Sequence, residues 1–476
     1  MFKSSLIYLV ARVLNGLIAI ASFYILSRTL TATEYGVYAL GTSAIAFFSS
    51  VLFQWIAVSM ARFYAEQLHR HDILMNEVAR LFFLTSTLSF VLFALFLLIA
   101  KISQVSPLLA VGIFTGSVAL GAHNIGLQIA NAGSKPVHYG LLSTTRSVLA
   151  FLLAVGASYW GFGGAGAVLG SAIATLFIVI FFKTVQLPKR AKKNLAIRLE
   201  LLRYGLPLTL TYMAMMVLDV SDRFIIGWIM GAAAVAPYAA AYDLTQQVIG
   251  ALANVLFLAS FPNIMTAWKR GGAEETKKAI VPLSGSMLIG APLISGLFIG
   301  GSTEICQIVF GPNLSRDAAS IMPWVVIAIT IASVKSFFLD IAFQLKKTIH
   351  IQLKITMAMA GINLILTVAL LPILGVVGAA VSTAISFAFG AVASWYFGVK
   401  VGIYPMIFKD IVKALVVMVC IVSAMKIYSV KGGSENLNML INFLVGMVVY
   451  VVSAFSINLG GVQIFLMKFI KSKNLI

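Results

Sequence analysis

At 476 residues, 61% of them hydrophobic and 10% charged, the chain lies far from the ~45–50% apolar and ~25% charged make-up of soluble domains, which excludes a water-soluble globular fold. Its 34 Lys and Arg against 15 Asp and Glu leave a formal charge of +19, yet these residues gather in the short gaps between apolar runs and no DNA- or RNA-binding motif accompanies them, so nucleic acid is excluded as a partner. The two cysteines, Cys306 and Cys420, lack disulfide or ligand spacing, and no cofactor or metal is implied.

Stretches long enough to cross ~30 Å of hydrocarbon as helix follow one another along the chain, about 14 in all. They fall near residues 6–28, 36–60, 80–101, 107–131, 139–161, 164–183, 204–230, 234–265, 280–302, 320–344, 353–373, 376–398, 408–428 and 438–459. The first, preceded by Lys3 and interrupted by Arg12, is too long for a signal-peptide core and lacks a small-x-small cleavage site, so a spanning helix is expected there. None of the runs shows the polar alternation of a membrane barrel. The predicted fold is therefore all-α, a polytopic integral membrane protein.

With the N-terminus inside, 25 of the Lys and Arg fall on one side, 5 on the other and 4 within the helices. Such a split is the positive-inside signature, and it places both termini in the cytoplasm. The richest inner loop carries Lys189, Arg190, Lys192, Lys193 and Arg198, with Leu195, Leu199 and Leu202 at i, i+4 and i+7. This reads either as an amphipathic helix on the inner leaflet or as a solvated linker. The tail over residues 464–473 repeats the theme more weakly. Outer loops at 161–163, 231–235 and 374–376 are too short to hold an external domain.

An offset of 212 positions aligns Gly163-Gly164-Ala165-Gly166-Ala167 with Gly375-Val376-Val377-Gly378-Ala379, and pairs His123 with Lys335 and Gln128 with Asp340. Spans 1–6 and 7–12 thus read as two copies of one six-helix unit in the same orientation, with a substrate path expected between them. The resulting divisions are an N-terminal lobe over 1–186, a basic linker over 187–203, a C-terminal lobe over 204–400, and two extra helices with a basic tail over 401–476. Gly161, Gly163 and Gly166 match GxGxxG, but no strand–helix unit or following acid accompanies them, and close helix packing is the better reading.

Eight ionised groups lie within spans: Arg12, Arg146, Asp219, Asp222, Arg223, Asp243, Lys335 and Asp340. Each costs about 2.5–3.5 kcal/mol at mid-helix on insertion scales, so such residues face a partner or a wet cavity. Asp219 and Asp222 sit within one turn of Arg223 and read as its structural counter-ions. Asp243 and Asp340 have no basic residue three or four positions away, which makes them the ion-coupling candidates, for a proton or Na⁺. Polar stripes accompany the charges: Asp243, Gln247, Gly250 and Asn254 on the eighth span, and Ser333, Phe337, Asp340 and Gln344 on the tenth. No nucleophile motif or P-loop appears, so an ATP-driven pump working alone is excluded.

Ser27-Arg28-Thr29-Leu30 followed by Glu34-Tyr35-Gly36-Val37-Tyr38, and Asp222-Arg223-Phe224-Ile225-Ile226-Gly227 followed by Tyr238-Ala239-Ala240-Ala241-Tyr242, resemble the bacterial polysaccharide-export (Wzx-type) flippases of the multidrug/oligosaccharidyl-lipid/polysaccharide exporter superfamily. The resemblance covers essentially the whole chain. It implies two six-helix lobes plus two helices, and translocation of undecaprenyl-pyrophosphate-linked oligosaccharide across the bacterial inner membrane for O-antigen, capsule or exopolysaccharide synthesis, with the polymerase machinery as a further partner. It also implies that some of Arg12, Arg146, Arg223 and Lys335 bind the substrate pyrophosphate, since Arg and Lys recognise phosphate oxygens. Members often have a markedly cationic cavity, whereas the span charges here sum to zero. A cation-coupled drug exporter of the same superfamily and a membrane enzyme of polysaccharide assembly are the competing readings; the first calls for an acidic pocket, the second for a sizeable outer loop.

Reporter fusions test the orientation. Fusions at Lys193, Lys277 and Lys471 are expected to read cytoplasm, and those at Gly163, Gly231 and Gly433 periplasm. An outward reading at Lys193 overturns the topology.

Overall fold

A computed structural model describes residues 2–99, 106–189, 193–404, 408–428 and 435–461. The 464–473 tail, Arg190, Lys192, Gly433 and Lys471 lie outside the described residues. In chain order the helices are α1 (Phe2–Thr29), α2 (Ala32–Phe63), α3 (His71–Ile99), α4 (Pro107–Ala132), α5 (Pro136–Tyr159), α6 (Gly163–Phe181), α7 (Leu195–Met230) and α8 (Ala232–Thr245). They continue with α9 (Ala251–Gly300), α10 (Ser302–Val309), α11 (Pro312–Val334), α12 (Ile341–Lys346), α13 (Ile349–Leu374), α14 (Val376–Val401), α15 (Phe408–Ile427) and α16 (Glu435–Ser456). No strand occurs among the described residues. The fold is that of an all-α polytopic membrane protein.

Among the described residues eleven stretches are long and apolar enough to cross a membrane. One of these, Ala232–Gly300, bends at Gly271 and Gly272, whose backbone leaves the helical region, and so supplies two rods. Helices α7 and α15 complete fourteen; the first carries Asp219, Asp222 and Arg223, the second Lys409, Asp410, Lys413 and Lys426, charges that lower their apolar character.

Local chemistry sets the helix ends. At the start of α2, Thr31 and Glu34 form a reciprocal capping box, with the Thr31 N–H donating to Glu34 Oε2 at 2.9 Å, which satisfies donors that hydrocarbon cannot. Ser106 accepts from Leu109 N at 3.2 Å and Pro107 opens α4. Asn194 caps α7 through Ile197 N. That cap places residues 195–203 in the first turns of α7, as one continuous helix with the span. Ile197 and Leu201 are buried there while Leu195 and Leu199 are exposed, so the leucine face read from the sequence points away from the core.

Tertiary contacts divide the chain into two compact units, Met1–Ala239 and Ala240–Ile476; the division falls inside α8. In the first unit α2 packs against α4, α6 and α7, and α1 lies on α5. Its core joins Phe53, Ile56 and Met60 of α2 to Leu74 and Val78 of α3, Ile125 of α4 and Leu201 of α7. Beside this core Glu77 is fully buried, ion-paired with Arg198 at 2.7 Å and accepting from Asn194 N at 2.9 Å. The pair ties α3 to the start of α7. In the second unit α14 packs on α11 and α13, and α15 and α16 pack on α9 through Ile421, Met425 and Leu297.

Large apolar side chains also cover the outside. On α3, Leu84, Leu88, Val91 and Leu95 are all exposed at i, i+4, i+7 and i+11, a stripe far too apolar for water and suited to lipid.

Candidate functional site

The intramembrane charges of the sequence resolve into different environments. Arg12 on α1 and Asp219 on α7 are exposed, and Asp243 on α8 is half-buried. Asp222 and Arg223 are buried side by side on α7. Arg223 donates from Nη1 to Ser43 Oγ of α2 at 3.1 Å, and Tyr238 donates its hydroxyl to Asp222 Oδ2 at 2.7 Å. Ser43 and Tyr238 extend this cluster beyond the residues that the i, i+3, i+4 spacing on α7 singles out.

In the second unit Lys335 and Asp340, assigned separate roles from the sequence, form one ion pair. Lys335 is 4% and Asp340 2% exposed, with Nζ to Oδ2 at 2.8 Å. The reason is local: residues Lys335–Leu339 form a π-helical turn, whose wider repeat brings i and i+5 onto one face. Asp340 still has no basic residue three or four positions away, but the π-turn supplies one five away, so the local isolation inferred from α-helical spacing does not hold. Its carboxylate also accepts from Gln352 Nε2 of α13 at 3.1 Å and from Ser394 Oγ of α14 at 2.8 Å. Carbonyls loosened by the turn are taken up too, since Tyr404 donates to Phe338 O at 2.9 Å and bonds Leu339 O as well. Small residues on α14 make the room: a Cβ on Gly390 would meet Met359 and the Lys335 stem, and one on Gly398 would overlap the Tyr404 ring. A second π-helical turn, Gln246–Gly250, likewise shifts the register of the stripe read on the eighth span.

Arg146 differs from all of these. It lines a cavity of about 260 Å³ in the first unit, walled by α1, α2, α4, α5 and α6. Asn15, Tyr38, Thr42, Ser171 and Thr175 add polar groups, and no carboxylate is in the lining. Arg146 Nε is buried without a hydrogen-bond partner, and so is Asn15 Oδ1. A donor and an acceptor thus leave each other unbonded across the same space. His123, one turn beyond the cavity on α4, is 2% exposed, has an unbonded Nδ1 and lies within electrostatic reach of Arg146. Arg146 itself is half-buried, and a polar cavity beside a cation in a span can offset the cost of its charge there by admitting water or an anion. Sequence reasoning finds Arg146 by its position in a span; the signal for Asn15 is weaker, a place on one face of the first span with Tyr8, Arg12, Ala19 and Ser22.

The chain belongs to the family described as polysaccharide biosynthesis protein, which matches residues 1–268. Among curated proteins none matches. Solved structures show that its fold is shared by transporters. The lipid II flippase MurJ in an inward closed conformation aligns with a TM-score of 0.75 at 13% identity, over 96% of this chain and 99% of that one. An inward-facing multidrug resistance MATE family transporter of the MOP superfamily aligns at 0.60 and 14% identity, over 83% of this chain and 98% of that one. A MOP superfamily transporter from Pyrococcus furiosus, described by the reverse polarity of its binding pocket, aligns at 0.55 and 15% identity, over 84% and 95%.

The buried pair in the second unit is open to a stability test. Removing one partner of a buried ion pair costs about 3–5 kcal/mol, whereas replacing both is close to neutral. Lys335→Met and Asp340→Asn are each expected to lower the thermal unfolding midpoint of purified protein, and the double variant to recover most of the loss. Single variants as stable as the wild type would remove the pair's structural role and return Asp340 to ion coupling.

Proposed function

We propose that this protein translocates undecaprenyl-pyrophosphate-linked oligosaccharide units from the cytoplasmic to the periplasmic leaflet of a bacterial inner membrane, for O-antigen, capsule or exopolysaccharide synthesis. Membership of a polysaccharide biosynthesis family and a fold shared with a lipid II flippase support the reading. The observation that carries it is the Arg146 cavity. A half-buried guanidinium in a cavity lined by no carboxylate attracts oxyanions through charge-assisted hydrogen bonds and repels a cationic drug.

Within this reading the four cations differ in what they offer an anionic substrate. Lys335 is engaged by Asp340 and serves chiefly to hold α14 on the π-turn. Arg146 is the principal contact, with Arg12 and Arg223 in supporting roles. Asp222 acts as the counter-ion of Arg223 through their shared burial, with Asp219 a turn away. Of the two acids assigned to ion coupling, Asp243 remains the candidate for a proton or Na⁺, because Asp340 already carries a cation, an amide and a hydroxyl.

A deletion strain separates this from drug export. Loss of the chain is expected to abolish the surface glycan while leaving susceptibility to cationic drugs unchanged, with restoration by the wild-type gene and not by Arg146→Ala at equal protein level. Intact glycan with increased drug susceptibility contradicts the proposal and favours the exporter.

A further inference from the structure

A second cavity in the first unit, of about 240 Å³, lies at the basic end of its helices, away from the Arg146 residues. Its lining includes His71, His138, Lys183, Thr184, Leu187 and Lys189. Two lysines and two histidines there face one carboxylate, that of Asp72. His71 opens α3 and His138 lies in the first turn of α5, so both stand where the helix dipole favours an anion. Two polar atoms are buried in this lining without a hydrogen-bond partner, His71 Nδ1 and Thr184 Oγ1; either can donate to a phosphate oxygen.

The pocket is held open by contacts that do not use those groups. The turn after α6 is pinned by its far end, where Lys189 N donates to Asn76 Oδ1 at 2.5 Å and Arg80 Nη2 donates to Lys189 O at 2.6 Å. Both imidazoles are steadied edge-on by aromatic rings, His71 by Tyr64 at 5.3 Å and His138 by Phe182 at 5.6 Å between centroids. Lys183 adopts a left-handed backbone, φ +50°, an uncommon conformation for a residue other than glycine that here ends α6. Leu187 in the lining and Phe181 beside it are largely exposed, which sets apolar surface for an acyl chain next to a cationic recess.

We propose that this pocket binds a phosphate group and is filled by the headgroup of an anionic phospholipid from the leaflet that the basic loops face. The site is separate from the substrate cavity and needs no transport to be occupied. Lys183 and Lys189 supply charge, His71, His138 and Thr184 supply directed donors, and the exposed Phe181 and Leu187 meet the lipid chains. A free phosphate ion offers the same oxygens but gains nothing from the apolar rim.

Native mass spectrometry of the detergent-purified full chain tests this with three probes: phosphatidylglycerol, phosphatidylcholine and sodium phosphate. The wild type is expected to retain phosphatidylglycerol at least about tenfold better than phosphatidylcholine, and sodium phosphate to displace it only in large excess. In the double variant Lys183→Gly, His138→Ala that preference is expected to disappear; glycine accepts the left-handed backbone at 183, which favours retention of the fold. Thr184→Val, which removes one donor with little change of volume, is expected to lower phosphatidylglycerol retention by itself. Equal retention of the two lipids by the wild type, or undiminished preference in the folded variants, overturns the site. Displacement by equimolar sodium phosphate overturns the lipid assignment.

Discussion

Hydrocarbon offers no partner to a charge or a backbone dipole, and that constraint organises this protein. Helices satisfy the backbone internally, and the side chains with charge must then be neutralised, hydrated or exposed. Lys335 and Asp340 take the first route with a fully bonded carboxylate. Asp222 and Arg223 are buried together and bonded outward to Tyr238 and Ser43. Arg146 takes the second, lining a polar cavity that has no acid in its walls, with its Nε buried and unbonded. The contrast separates groups that hold the fold from the one proposed above to meet the substrate.

The spans were legible because a helix crossing hydrocarbon needs a long apolar run, and few charged residues are tolerated within it. The run read at 107–131 is Pro107–Ala132 in the structure, and that read at 376–398 is Val376–Val401. Less of the local geometry could be read. The short helix Ser302–Val309 is too brief for a span pattern, and the π-turns at Gln246–Gly250 and Lys335–Leu339 break the 3.6-residue period on which stripes are drawn. Lys335 and Asp340, five apart, were invisible as a pair for that reason. The clues lay on another helix, in Gly390, Ser394 and Gly398 at four-residue spacing, small residues that let α14 approach the turn.

The candidate site was legible in type and not in composition. Arg146 stands out in any span because of its cost there, but nothing in the sequence says whether an acid waits for it. Cavity walls come from five helices spread over residues 15–175, and such convergence follows only from packing. The reverse holds for Asp340, whose sequence neighbourhood suggested an isolated acid and whose tertiary neighbourhood supplies three donors.

The central claim, movement of a lipid-linked oligosaccharide with Arg146 as an anion contact, is tested most directly in liposomes of defined lipid containing the purified chain and an undecaprenyl-pyrophosphate-linked oligosaccharide. A membrane-impermeant glycosidase added outside reads how much substrate has crossed from the inner leaflet. The account predicts that the wild type exposes the inner pool and that Arg146→Ala slows this at least tenfold, a loss of about 1.4 kcal/mol or more in the transition state. Exposure no faster than in protein-free liposomes, or an unchanged rate in the Arg146 variant, would contradict it.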